Sequence, residues 1–474
     1  MPDLRPYQSE GIKNIFSAWR EGHRSVLFQM PTGTGKTYLF ADITRRGFEQ
    51  DRKILLIVHR IELVEQIKKE LQSKGVEAGL IVAGQEADYS KIVQIASIQT
   101  LSRRKHPQAN LIIIDECHHS KADTYKQLWD IYKDAKFLGV TATPIRLNGD
   151  GFDDVFDCLI TSGQLQHFID NGYLVPVNQY VCLNPNLSNV KVIRGDYNTG
   201  SLSDVMTESS VMADILDSYK NICIGKSTII FAVDVVHSKA IVRTFLNEGI
   251  SAAHVDSKTP SLEREKILSD FRSGIIKVVS NVEIITEGFD FPECEAVILA
   301  RPTKSLALYM QMAGRVMRPA IGKKEGVILD CASQWLEHGI CTMDRKWSLY
   351  STKKKRRYLD FTDKLLAIDN EGVVFKPKRH IPDEIKGLKL ININNEFDRL
   401  LMFESFLKDA IKKNHRILSC YFRYKDSLQL LSISMTELEF NYIQKRLNEI
   451  NEIVDLEKRF KPNYWIMAAS NINT

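Results

Sequence analysis

The strongest constraint on this chain is a recurrence. Short apolar runs return through its first two thirds, each too short for a helix and too uniformly apolar for a half-exposed strand. They are SVLFQM (25–30), KILLIVH (53–59), IVQIASI (92–98), LIIIDE (111–116) and KFLGVTAT (136–143), then STIIFAV (227–233), KVVSNV (277–282), AVILA (296–300) and GVILDC (326–331). Runs of this kind are strands covered on both faces, the pattern of a parallel sheet. Between them lie amphipathic stretches such as RIELVEQIKKELQSKG (60–75) and SLEREKILSDFRSG (261–274), which read as helices. Strand and helix alternating in two successive series predict two parallel α/β domains. The polar stretch NPNLSNVKVIRGDYNTGSLS (184–203) reads as part of the connector between them. After about 345 the texture turns basic and aromatic, and from 396 it is charged and mostly helical.

Composition narrows the class only at its margins. A chain of 474 residues has room for about three domains. Its net charge of +5 permits a nucleic-acid partner without demanding one. The eight cysteines are scattered and form no CxxC pair, which argues against zinc and against a disulfide framework. The N-terminus lacks the apolar core of a signal peptide, and no run reaches membrane-spanning length. A reducing, cytoplasmic compartment, no membrane partner and a monomeric state are the expectations.

The chemistry concentrates at the ends of the apolar runs. PTGTGKT (31–37) follows the first strand and opens a helix, so Pro31, Thr32, Gly33, Thr34, Gly35, Lys36 and Thr37 form a candidate phosphate loop. Gly33 and Gly35 let the backbone turn its N–H groups inward onto phosphate oxygens, and the helix N-terminus adds partial positive charge. Lys36 reaches the outer phosphates and Thr37 suits Mg²⁺. The usual pattern places a glycine where this chain has Met30. LIIIDE ends in Asp115 and Glu116, at the strand tip where α/β sheets bind ligands. Asp115 suits Mg²⁺ and Glu116 suits orienting an attacking water. Strand-end acids are common by themselves; with the phosphate loop they complete a nucleotide site.

QMAGRVMRP (311–319) adds a second half. If it is helical, Gln311, Arg315 and Arg318 share one face. The anion they would meet is the outer phosphate of a nucleotide bound on the first domain, with Arg315 and Arg318 as arginine fingers. Such a site is complete only when the two domains close, which implies a motor cycle.

In order along the chain, LRPYQSEGI (4–12), PTGTGKT, VHRIELVEQ (58–66), DECH (115–118), TATP (141–144), ITEGFDFP (285–292) and QMAGRVMRP resemble the superfamily 2 DEAD/DEAH-type helicases, over roughly residues 3 to 349. TATPIRLNGDGFDDVFD, LVPVNQY, GDYN and FAVDVVHSKA bring the likeness nearer to the bacterial and phage RadD-like and XPB-like DNA helicases. The resemblance implies an α/β fold of two tandem RecA-like P-loop domains with a C-terminal, mainly helical accessory region. The expected boundaries are 1–175 for the first domain, 176–215 for the connector, 216–345 for the second domain and 346–474 for the accessory region. It implies ATP and Mg²⁺ as cofactors. Arg5 and Gln8 would line the adenine pocket, with Asp290 facing the nucleotide and Mg²⁺ region. His118, Thr141 and Thr143 would couple the nucleotide site to the strand-binding site. His59, Arg60, Gln99, Thr286 and Gly288 would contact the nucleic-acid backbone. RadD-like proteins often carry cysteine-rich zinc segments after the motor, and this chain has no such spacing.

Lys353, Lys354, Lys355, Arg356 and Arg357, with Trp347, Tyr350 and Tyr358 nearby, have the cations and rings of a nucleic-acid groove; a solvated charge run is the equal alternative. The expected function is an ATP-dependent DNA helicase or translocase on duplex or branched DNA, in repair, recombination or replication. An RNA helicase and a nucleotide-dependent switch that remodels a protein partner are the alternatives.

Overall fold

In the computed structural model the described residues are 4–350, apart from 60, 118–121, 147–148, 182–184, 188, 194, 286–290 and 344, together with Ile443. Arg60, His118, Thr286, Gly288, Asp290 and Lys353 to Arg357 lie outside them, as does the accessory region from 351 onward but for Ile443.

The first lobe is a seven-stranded sheet: β1 (Ser25–Gln29), β2 (Ile54–Val58), β3 (Ala78–Ile81), β4 (Val93–Ser97), β5 (Leu111–Asp115), β6 (Lys136–Thr141) and β7 (Cys158–Thr161). Their spatial order is β3-β4-β2-β5-β6-β1-β7, and every pairing is parallel. The second lobe orders β12 (Ala252–Val255), β13 (Val278–Asn281), β11 (Thr228–Phe231), β14 (Ala296–Leu299), β15 (Gly326–Asp330) and β8 (Val177–Val181), again all parallel. The strand β8 lies in the 176–215 stretch and pairs with β15 of the second sheet. Within the polar segment 184–203 the chain forms a short hairpin, β9 (Val192–Ile193) with β10 (Asp196–Tyr197), and starts the helix Thr199–Met206.

The physical reason for two-sided burial is visible in β2. All five residues of ILLIV are buried: Ile54, Leu56 and Val58 pack with the helices Lys36–Phe48 and Ile61–Ser73, while Leu55 and Ile57 pack in a separate cluster with Tyr125 and Leu128 of the helix Ala122–Ile131. A parallel sheet leaves its loops at the carboxyl ends of its strands. The register sets those ends level, because Gln29 aligns with Thr141 and Asp115 with Val140. Three distant segments therefore open onto one edge: the loop after β1, the acids ending β5 and the turn after β6. Apolar packing continues from the first sheet into the second, from Val26 and Phe28 through Tyr309 and Met317 to Ile229 and Ile328.

Candidate nucleotide site between the lobes

The loop after β1 is fixed from both sides. Gly33 and Gly35 have φ of 86° and 89°, the left-handed region where a side chain is strained. The loop is tied internally by Thr34 Oγ1 donating to Pro31 O at 2.7 Å. The helix Pro6–Arg20 holds its far side: Tyr7 Oη donates to Thr34 O at 2.7 Å, and Gln8 Nε2 donates to Thr34 O and Gly35 O, each at 3.2 Å. Gln8 is itself oriented by the Arg5 backbone N–H, which donates to Gln8 Oε1 at 2.9 Å. The Arg5 guanidinium lies 5.4 Å from the centre of the Tyr173 ring, which meets Tyr7 edge-on. So Arg5 and Gln8 gather at the phosphate loop, along with Tyr7 and Tyr173. The two tyrosines went unremarked in the sequence because a tyrosine in a helix or loop reads as core.

The acids at the tip of β5 face the loop. Lys36 Nζ lies 3.2 Å from Glu116 Oε1, and both side chains are nearly buried. Glu116 has φ of 45°, unusual for a residue with a side chain, and its N–H donates to Asp115 Oδ1 at 3.0 Å. A conformation of this kind is kept only where the surroundings hold it, and here the Lys36 ammonium meets the carboxylate. Behind them Cys117 is fully buried, and burial with the Glu116 and Asp115 charges pushes its thiol well up, so it acts as a neutral filler.

The turn after β6 closes the back of the site. Thr141 Oγ1 donates to Thr143 O and accepts from Thr143 N–H, both at 3.1 Å. Met30 N–H donates to Thr141 O at 2.9 Å, which couples this turn to the start of the phosphate loop. At the far edge Gln99 Nε2 donates to His59 O at 3.4 Å, bringing two expected backbone contacts together after β4 and β2.

The second lobe supplies QMAGRVMRP, with one correction. The helix runs Leu306–Ala313 and stops, so Gln311 is helical whereas Arg315 and Arg318 lie in the turns beyond. Two features lie beyond the helix end. Gly314 caps the helix against the phosphate loop, where an added Cβ would fall 2.7 Å from Thr32 Cβ and Cγ2. Pro319 then forbids helix continuation. Gln311 and Arg315 are buried, at 3% and 5% exposure, and Arg318 Cγ lies 3.2 Å from the place a Cβ on Gly33 would take. Lys323, not singled out in the sequence, braces this turn by donating to Arg318 O and Pro292 O, each at 2.9 Å. Burial lowers its pKa to about 8.

Comparison with known proteins follows the same division into lobes. A family described as "Type III restriction enzyme, res subunit" matches residues 1–146, and "Helicase conserved C-terminal domain" matches 211–320. A 51.5 kDa protein of a Lactococcus phage is 35% identical over 327 residues, 68% of this chain and 69% of its own length. The yeast protein described as "Putative ATP-dependent helicase IRC3", from Saccharomyces cerevisiae, is 32% identical over 354 residues, 69% of this chain and 51% of its own. The chain belongs to the superfamily 2 helicases. A more distant relative, the "DNA 3'-5' translocase XPB2" of Sulfurisphaera tokodaii, is 23% identical over 382 residues, 70% of this chain and 82% of its own. The match takes in about half of the yeast helicase and about two thirds of the phage protein.

Proposed function

We propose that the chain is an ATP-dependent DNA helicase or translocase, acting on duplex or branched DNA in repair, recombination or replication, in the cytoplasm. One observation carries the reading. The Lys36–Glu116 pair sits on the first lobe, and Arg318 of the second lobe packs against Gly33 of the same loop. The likeness to a restriction-enzyme subunit family and to a relative named as a DNA translocase supports DNA as the substrate.

The residues fit ATP with Mg²⁺. Gly33 and Gly35 form a cradle that a Cβ would strain, Lys36 stands at its rim, and Thr37 with Asp115 offers oxygen ligands of the kind Mg²⁺ takes. Bound there, ATP supplies the phosphoanhydride and Mg²⁺ screens its charge. The chain's own groups do the rest. Breaking the Lys36–Glu116 pair frees the ammonium to hold outer phosphate oxygens and the carboxylate to orient water and accept its proton. Arg315 and Arg318 meet the negative charge that grows in the transition state, at a position fixed by the packing of Gly314 on Thr32. Because these arginines belong to the other lobe, hydrolysis and lobe closure are linked.

The test is ATP turnover by the full chain with duplex DNA, single-stranded DNA, forked and four-way junctions, and RNA, alongside Lys36→Ala. The expected result is stimulation by DNA, strongest for one duplex or branched form, and loss of turnover in Lys36→Ala at an unchanged melting temperature. Stimulation by RNA alone would move the substrate to RNA. Hydrolysis indifferent to nucleic acid would support a protein-remodelling switch. Lys36→Ala turning over within a few-fold of wild type would remove the phosphate-loop assignment.

A further inference from the structure

A small cavity of about 30 Å³ lies where the lobes meet, lined by Met310 of the Leu306–Ala313 helix and by Gly314 that caps it. Its polar lining has an uncommon character. Gln29, at the end of β1, is 2% exposed; its Nε2 donates to Ala142 O at 3.0 Å, while its buried Oε1 has no partner. The buried Oγ1 of Thr32, in the phosphate loop, also has none. Across the cavity stands Arg345, in the segment that follows the second sheet. Its Nη2 donates to His338 O and Ile340 O at 3.0 and 3.2 Å, but its Nε is sealed from solvent without an acceptor. Among the described residues no carboxylate lies within ion-pair distance of it.

One acceptor, one hydroxyl and one charged donor thus line a space wide enough for a water, which takes two to four such partners. Each would be costly to bury unmet, the cation most of all. The same segment is stitched to the first lobe on either side. Arg345 N–H donates to Gln164 Oε1 at 3.3 Å, and Leu349 O accepts from Phe152 N–H and Asp153 N–H at 2.6 and 3.1 Å.

We propose that Arg345 is a positioning residue of the nucleotide site: through a buried water shared with Gln29 Oε1 and Thr32 Oγ1, its Nε ties the segment after the second sheet to the phosphate loop and sets where Arg315 and Arg318 meet that loop. The inference rests on the ATPase reading above. It places Arg345 outside the reacting atoms, so its loss loosens the closed arrangement without emptying the nucleotide pocket.

The experiment is steady-state ATP turnover of the full chain at saturating DNA, with Arg345→Met, Gln29→Met and the double variant, and Lys36→Ala alongside. Arg345→Met is expected to lower kcat by about 10- to 100-fold, the worth of one charge-assisted hydrogen bond, with KM for ATP within about two-fold. The double variant is expected to be little worse than the poorer single one, because both remove the same bridge. If Arg345→Met melts early, Arg345→Lys, which keeps a cation and a donor for the carbonyls, carries the test by recovering part of kcat. Wild-type kcat in a well-folded Arg345 variant overturns the proposal, as do losses that multiply in the double variant, or a rise in KM alone. Should Lys36→Ala stay active, the ATPase reading itself fails. Should it be inactive while the Arg345 variants turn over normally, only the bridge fails.

Discussion

Gly314→Ala isolates the contact between the lobes. Gly314 has φ of −61° and ψ of −15°, a conformation alanine adopts freely, so the backbone adds no strain. The new methyl would lie 2.7 Å from both Thr32 Cβ and Thr32 Cγ2. Carbon atoms rest at about 3.5 Å or more, so helix and loop must part by about 0.8 Å. Thr32 cannot easily yield, because its loop is pinned by Thr34, Tyr7 and Gln8. The parting therefore falls on the segment that carries Arg315 and Arg318. A misplacement near 1 Å can cost about 100-fold in rate, which sets the expected fall in kcat at about 10- to 100-fold. Nucleotide affinity should stay within about two-fold of wild type, since the cradle belongs to the first lobe. The assays are DNA-stimulated ATP turnover, binding of a fluorescent nucleotide analogue and thermal melting. Wild-type turnover with normal melting would refute the claim that catalysis uses this closed geometry.

Two further expectations follow from the same structure. Arg315→Ala and Arg318→Ala should each keep nucleotide binding and lose turnover by about 10³- to 10⁵-fold, the range known for arginine fingers, and a parallel collapse in melting temperature would make them structural instead. Burial pushes the Asp330 carboxyl up to about 6 against the pull of backbone N–H groups from Ala332, Gln334 and Trp335, and burial lowers His237 to about 4. Asp330 thus holds a proton in the folded state that the unfolded chain releases above its ordinary pKa of 3.8, so its contribution is complete below that value and is lost as pH rises through 6. His237 works the other way, its contribution falling as pH drops from 6.5 towards 4. Asp330→Asn should therefore expose the His237 slope: relative to the variant, wild type gains about 2 kcal/mol on going from pH 7 to pH 4. Parallel denaturation curves across that range would contradict it.

What the sequence disclosed follows strand position. The nine apolar runs it marked became the interior strands of the two sheets, from β1 at Ser25–Gln29 to β15 at Gly326–Asp330. In these two sheets the four strands it passed over are the four edges, β3, β7, β8 and β12; it also passed over the small hairpin of β9 and β10. An edge strand has one neighbour and can carry half-exposed residues such as Cys158, Leu159 and Ile160 in β7, or polar ones such as Asn178 and Gln179 in β8, so its composition approaches that of a loop. The site divides in the same way. The phosphate loop and the Asp115–Glu116 tip were legible because their residues are adjacent in the chain. The close fit of Gly314 on Thr32 was not, since the two lie some 280 residues apart in the chain. Gln29 and Arg345 gave no signal for the same reason: each has meaning only beside the other.

Among the described residues the chain passes between the lobes twice. It crosses once at 175–177, where Val175 N–H donates to Met317 O and Pro176 O accepts from Gly326 N–H, and it returns at 345–349 to meet Gln164, Phe152 and Asp153. Two bodies joined at a single point can swivel about any axis through it. Joined at two, they can turn only about the line between the joints. Lobes moving as rigid bodies on these two joints would open and close through a single angle. Work released by ATP hydrolysis would then be directed along one rotation instead of being dispersed among three.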